Sequence, residues 1–154
     1  MDQLTRIGKR SRWWLEEWLS RLAPFALAPA RTHFIRGDTQ GSNVMVRSDL
    51  RRFVALMDWG SAAWGAQLDD FAEMPIRVVP FVLEGYREMT LVAEDPNIEA
   101  LVVWRHLQLG LITLTRAPLP GFSWAERPLT MQLDTLAFFA VPPPDPWREF
   151  APPR

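Results

Sequence analysis

Arg36-Gly37-Asp38-Thr39-Gln40-Gly41-Ser42-Asn43 and, further on, Met57-Asp58-Trp59-Gly60 decide how this chain is read. Between them lie two apolar runs, Val44-Met45-Val46 and Phe53-Val54-Ala55-Leu56-Met57, separated by the polar stretch Arg47–Arg52. Such runs read as strands, and a short polar link joins them as a hairpin over 44–57. The hairpin puts Asn43 at the start of one strand and Asp58 at the end of the other, on the same side of the ribbon. An ionised carboxylate only accepts hydrogen bonds. A small, hard divalent cation prefers oxygen ligands. Asn43 offers a neutral carbonyl oxygen and Asp58 a charged one, so the pair has the placement one metal ion needs.

Outward from these motifs the pattern is helical. Trp13, Trp14, Leu15, Trp18, Leu19 and Leu22 recur at helical spacing with Arg12, Glu16, Glu17 and Arg21 between them. This predicts an amphipathic helix over 12–23, ending before Pro24. Residues 24–32 hold two prolines and read as a loop, and His33-Phe34-Ile35 as a short extended lead into the first motif. After Asp58 the helical reading resumes: a short helix over Asp69–Met74, ended by Pro75, then one with Pro80 in its first turn running to about Val92. A long, mostly apolar and therefore buried helix spans Ile98–Thr115, broken by Pro118, Pro120 and Gly121. Leu129–Ala140 is a fourth, so helices fill 68–140. The fold class is α+β and mostly helical, one domain over 1–140. Prolines then crowd into Val141-Pro142-Pro143-Pro144-Asp145-Pro146 and Ala151-Pro152-Pro153-Arg154, giving an extended Pro-rich tail over 141–154 with Trp147 and Phe150 docking on the body. A polyproline ligand for a partner domain is the sharper reading of that tail.

The chain has 154 residues, 48% hydrophobic and 23% charged, enough for one packed core. Its net charge of −1 provides no global field for nucleic acid or an anionic membrane. Without cysteine it has no disulfides and no thiolate metal sites. Charge-free apolar runs are too short to cross a bilayer, and Glu16 and Glu17 spoil a signal-peptide core. The expected location is cytoplasmic. Eight Trp are read as core and interface anchors.

The span from about Trp13 to Leu114 resembles the C-terminal lobe of the aminoglycoside phosphotransferase-like family of small-molecule kinases. In that family a catalytic loop reads His-Gly-Asp, three or four variable residues, then Asn. A hairpin leads to Asp-Trp-Gly, followed by a segment like Gly-Asp-Pro-x-x-Asp-Leu-Ala. Here the matching stretches are Arg36–Asn43, Asp58-Trp59-Gly60 and Gly65-Ala66-Gln67-Leu68-Asp69-Asp70-Phe71-Ala72. Phe81–Glu88 is similar to the family's helix ending in a Tyr-Arg pair. The resemblance implies a protein-kinase-like fold in which Asp38 handles the acceptor hydroxyl as the catalytic residue. Asn43 and Asp58 would hold Mg2+ on the co-substrate ATP, Trp59 would pack behind Asp58, and Asp70 would fix the backbone of the catalytic loop. Arg36 and Gln40 would support the loop or contact phosphate. The substrate would be a small molecule bearing a hydroxyl, such as an aminoglycoside or amino alcohol. Glu84 and Glu88 are candidates to receive its positive charge, or else a solvated helix face.

The same resemblance implies an absent N-terminal lobe, since no glycine-rich phosphate loop or strand Lys precedes Asp38. The expected state is a fragment, inactive unless that lobe, or a chain supplying it, completes the site. The alternative is a degenerate, non-catalytic lobe kept as a binding or scaffold module. Arg36 stands in place of the family's His and, being always charged, must find a carboxylate or open the loop. Gln40 stands where the family commonly has His and protein kinases have Lys, and supplies no positive charge; Ala66-Gln67 replaces Asp-Pro. Plainer readings stay open beside each role. Asp38 and Asp58 also suit turn caps, Asn43 a loop–strand junction, and Asp70 a helix N-terminus. His33 and His106 lack a second ligand at metal spacing. The Arg36-Gly37-Asp38 tripeptide matches an adhesion motif by accident.

Overall fold

The computed structural model of the chain describes residues 8–26, 32–49, 51–89, 97–114 and 130–153. In chain order it holds α1 (Lys9–Ala26), β1 (Thr32–Ile35), β2 (Val44–Val46), β3 (Phe53–Leu56), β4 (Ala63–Ala66), α2 (Asp69–Ala72), α3 (Val79–Met89), α4 (Ile98–Leu114) and α5 (Thr130–Ala140). The class is α+β with two small antiparallel sheets, β1–β4 and β2–β3. No helix among the described residues is long and apolar enough to cross a membrane.

The core is built on α4. Ile98, Ala100, Val102, Val103 and Leu107 are buried there, facing Leu15, Trp18 and Leu22 of α1, Phe71 of α2 and Leu83 of α3. A helix apolar around most of its circumference belongs at the centre of a bundle, and α4 is placed so. Glu99, in its first turn, is buried as well. It sits 2.7 Å from Arg87 Nη2, an ion pair whose angle is too poor for a hydrogen bond.

Three expectations need correction. The first helix does not stop before Pro24 but runs on to Ala26. Phe25 in that last turn packs edge-on against Phe150, a tertiary contact that holds the turn despite the missing proline N–H. Second, the stretch after Asp58 is not all helical. Ala63–Ala66 forms a strand paired with β1, with Phe34 opposite Trp64 and Ile35 opposite Ala63. Third, the tryptophans divide. Trp18 and Trp147 are buried, whereas Trp13, Trp59 and Trp64 are largely exposed. The breaks at Pro118, Pro120 and Gly121 and the end near Val92 lie outside the described residues.

The Pro-rich tail packs on the body. Trp147–Phe150 forms a 3₁₀ turn, and Trp147 and Phe150 join the core. Trp147 stacks edge-on with Phe138. The indole N–H of Trp18 donates to the Phe150 carbonyl at 2.9 Å, and that of Trp14 to the Pro153 carbonyl at 2.8 Å. The tail thereby closes over α1, because an indole buried in a core needs an acceptor and a proline-rich segment has spare carbonyls.

His106, on α4, is a packed histidine. One ring nitrogen lies 2.9 Å from the Val102 carbonyl and the other 2.8 Å from that of Met74. A neutral ring donates to one of these carbonyls, a charged ring to both. Burial pushes its pKa below the ordinary 6.5, against the opposing pull of the two carbonyls. A base whose folded pKa is depressed supplies stability that is complete above the unfolded value and is lost as pH falls toward the folded one. Urea unfolding of the wild type is therefore expected to lose stability more steeply than His106→Gln between neutral pH and about pH 5. Equal slopes in the two proteins would show that burial does not resist protonation here.

Candidate functional site

The loop carrying Asp38 is assembled from main chain and short polar side chains. Gly37 takes φ +79°, a left-handed conformation that suits glycine, and its α-carbon faces the Ser61 carbonyl so closely that a Cβ would lie 2.5 Å from that oxygen. The loop ends in a 3₁₀ turn over Gly41–Asn43 that leads directly into β2. Asn43 is held from both sides. Its backbone N–H donates to the Gln40 carbonyl at 3.0 Å, and its own carbonyl accepts from Met57 N at 2.8 Å. The second bond ties the start of β2 to the end of β3, as the hairpin reading requires.

Asp38 and Asn43 are in direct contact. Asn43 Nδ2 donates to Asp38 Oδ2 at 3.0 Å and to the Asp38 carbonyl at 3.2 Å. Gln40 Nε2 adds a weaker bond to the same carboxylate at 3.3 Å. Asp38 Oδ1 is shielded from solvent and has no hydrogen-bond partner. An unpaired buried acceptor is costly.

Asp58 is the one non-glycine described residue with positive φ, at 55°. Asp tolerates this region better than most residues. Its Oδ1 accepts from Gly60 N at 3.3 Å, which caps the 3₁₀ turn Trp59–Ser61. Trp59 does not form a buried backing for Asp58. Its ring lies on the surface, with Nε1 donating to the Leu56 carbonyl at 3.1 Å.

Asp70 joins α2 to the loop. Its Oδ1 accepts from Arg36 N at 2.9 Å and from Gly37 N at 2.8 Å, and Oδ2 from Arg36 N at 3.2 Å. Thr39 Oγ1 donates to the Asp70 carbonyl. The two readings of Asp70, helix N-terminal carboxylate and loop anchor, are thus both met by one side chain. Arg36 departs from its expectation. It is 3% exposed, yet no carboxylate pairs with its guanidinium among the described residues. Its Nη2 donates instead to the carbonyls of Met57 and of Asp58, the latter at 3.0 Å.

A cleft of about 550 Å³ opens beside the loop, lined by Gln40, Ser42, Glu73, His106, Thr113 and Asp134 among others. Glu73 and Asp134 carry its negative charge, and neither drew attention in the sequence. Glu84 lines a different cleft, with Arg77, Arg87 and Trp147, and Glu88 is exposed on α3. Among the described residues no three His, Cys, Asp or Glu side chains gather as a metal cage. The structure brings Asp38, Asn43, Gln40, Arg36 and Asp70 into one connected network and attaches Asp58 to it through the main chain. No protein-family model matches this chain, nor does any curated protein or solved structure.

Proposed function

We propose that this chain is the C-terminal lobe of an ATP-dependent small-molecule kinase of the aminoglycoside phosphotransferase-like type. It would transfer a γ-phosphate to a hydroxyl group once an N-terminal lobe completes the nucleotide site. The observation that carries the reading is the network linking three separated stretches, 36–43, 57–61 and Asp70. Asn43 grips the Asp38 carboxylate, and Asp70 holds the loop backbone.

The donor set fits a magnesium ion. Asn43 commits its amide nitrogen to Asp38, which leaves its carbonyl oxygen for another partner. Asp58 supplies an exposed carboxylate. Magnesium needs only one or two protein oxygens beside waters and phosphates, so no larger protein cage is required. When bound, the ion supplies neutralisation of charge on the β- and γ-phosphates. By the resemblance Asp38, whose Oδ2 is held by Asn43, would accept the proton of an acceptor hydroxyl. The cleft with Glu73 and Asp134 suits a small, hydroxylated, cationic substrate.

Titration of the chain with Mn2+ and ATP tests the metal half of this reading. Asp58→Asn keeps a side chain that tolerates positive φ but removes its charge. The variant is expected to bind Mn2+ at least ~10-fold more weakly. Wild-type protein that shows no saturable Mn2+ binding even with a supplied N-terminal lobe and ATP would sink the kinase reading. The degenerate binding module would then stand, a reading favoured by Gln40, whose neutral amide faces the Asp38 carboxylate where the family commonly has His.

A further inference from the structure

Among the described residues Arg36 is a buried cation without an anion, and its bonding pattern points to a specific task. One nitrogen, Nη2, donates to two successive carbonyls, those of Met57 and Asp58. In an extended chain successive carbonyls point to opposite sides, so no single donor reaches both. They point the same way only where the residue between them has helical-type dihedrals. Asp58 has them in the left-handed sense, with φ 55° and ψ 76°. The shared donor is therefore matched to the left-handed form of Asp58 and lost in the extended form.

We infer that Arg36 is a positioning residue for Asp58: its guanidinium locks the 57–58 carbonyls and so fixes the backbone from which the Asp58 carboxylate projects. The left-handed form is costly for a residue with a Cβ, though less so for Asp than for most. A charge-assisted bond to each carbonyl offsets that cost. The same residue's main-chain N–H is held by Asp70, so Arg36 ties the Asp38 loop, the Asp58 turn and α2 together. Gly37 presses on the Ser61 carbonyl at the far end of the same turn, a second fastening. The Nε and Nη1 groups have no partner, so nothing else in the described residues competes for the side chain. The consequence for metal affinity rests on the kinase reading; the positioning of Asp58 does not.

NMR of the metal-free wild type is the first test. A guanidinium locked on two carbonyls shows separate, slowly exchanging Nη–H signals, whereas a free one averages them. Arg36→Met keeps apolar bulk without a donor, and Arg36→Lys restores one nitrogen donor. In Arg36→Met the Asp58 amide signal and its HN–Hα coupling are expected to move, and Mn2+ affinity to drop roughly 10-fold. Arg36→Lys is expected to recover most of both, which a role in packing alone would not produce. Averaged Nη–H signals in the wild type, or an unchanged Asp58 in Arg36→Met, overturn the inference. Should both variants fail to fold, the wild-type signals decide. A locked Arg36 and a shifted Asp58 in a protein that binds no Mn2+ even with a supplied N-terminal lobe would uphold the positioning role and reject the kinase reading.

Discussion

Trp18→Ala is expected to be the most destabilising single change among the described residues, lowering Tm by roughly 8–32 °C. Trp18 is fully buried. Its ring packs against Trp14 at 5.4 Å and edge-on against Phe139 of α5 at 5.5 Å. Removing a buried Trp costs about 3–5 kcal/mol through lost transfer and the cavity left behind. The change also strips the Phe150 carbonyl of its donor, and a buried acceptor left unpaired adds about 1–3 kcal/mol. Trp18→Phe separates the two effects, because it keeps an apolar ring and loses only the N–H and some volume. Thermal melts by circular dichroism should rank wild type above Trp18→Phe, and Trp18→Phe above Trp18→Ala. A Trp18→Ala protein melting within about 2 °C of wild type would show that α1, α5 and the tail do not share one core.

Asp70→Ala should be nearly as costly, and its damage should fall on the Asp38 loop. Two main-chain N–H groups, of Arg36 and Gly37, lose the acceptor they have among the described residues. At about 1–3 kcal/mol for each orphaned donor, the loss is on the order of 2–6 kcal/mol. Asp70→Asn is expected to be milder, since both shorter bonds run to a single oxygen that an amide also provides. Urea unfolding measures the difference, and faster amide exchange at Arg36 and Gly37 localises it. Equal losses in the two variants would mean that Asp70 acts through charge alone. A second signal comes from Tyr86, whose phenol pKa is raised first by burial and then by the Asp70 charge. The chain has one tyrosine, so alkaline absorbance reports on it alone. Asp70→Asn should lower that pKa relative to wild type.

Much of this architecture is legible in the residues themselves. The start of α3 follows from Pro80 in its first turn, and the end of α5 from the proline cluster after Ala140. The β2–β3 hairpin follows from two short apolar runs with a charged link. β4 is not legible. Ala63-Trp64-Gly65-Ala66 has little intrinsic strand preference, and it is extended because β1 pairs with it. Gly65 fits that pairing because a Cβ there would meet Ile35 at 2.6 Å. Exposure of Trp64 is hidden for a related reason. Its face is set by register, and a four-residue strand has too few positions to reveal one. The partners of Arg36 escape a charge-based reading altogether, because main-chain carbonyls occur at every residue and leave no mark in sequence. The bond from Asp70 to the loop is suggested only by family resemblance, since the two segments lie 33 residues apart.

The clasp between α1 and the proline-rich end also sets a schedule for the growing chain. Trp18 and the carbonyl it needs are 132 residues apart. At roughly 5–20 residues per second, a ribosome delivers the second about 7–26 s after the first. α4 can pack on α1 as soon as it is made, but the Trp18 indole N–H still waits for its acceptor. The clasp is therefore closed only after α2 to α5, which lie between its two halves in the chain, have been synthesised.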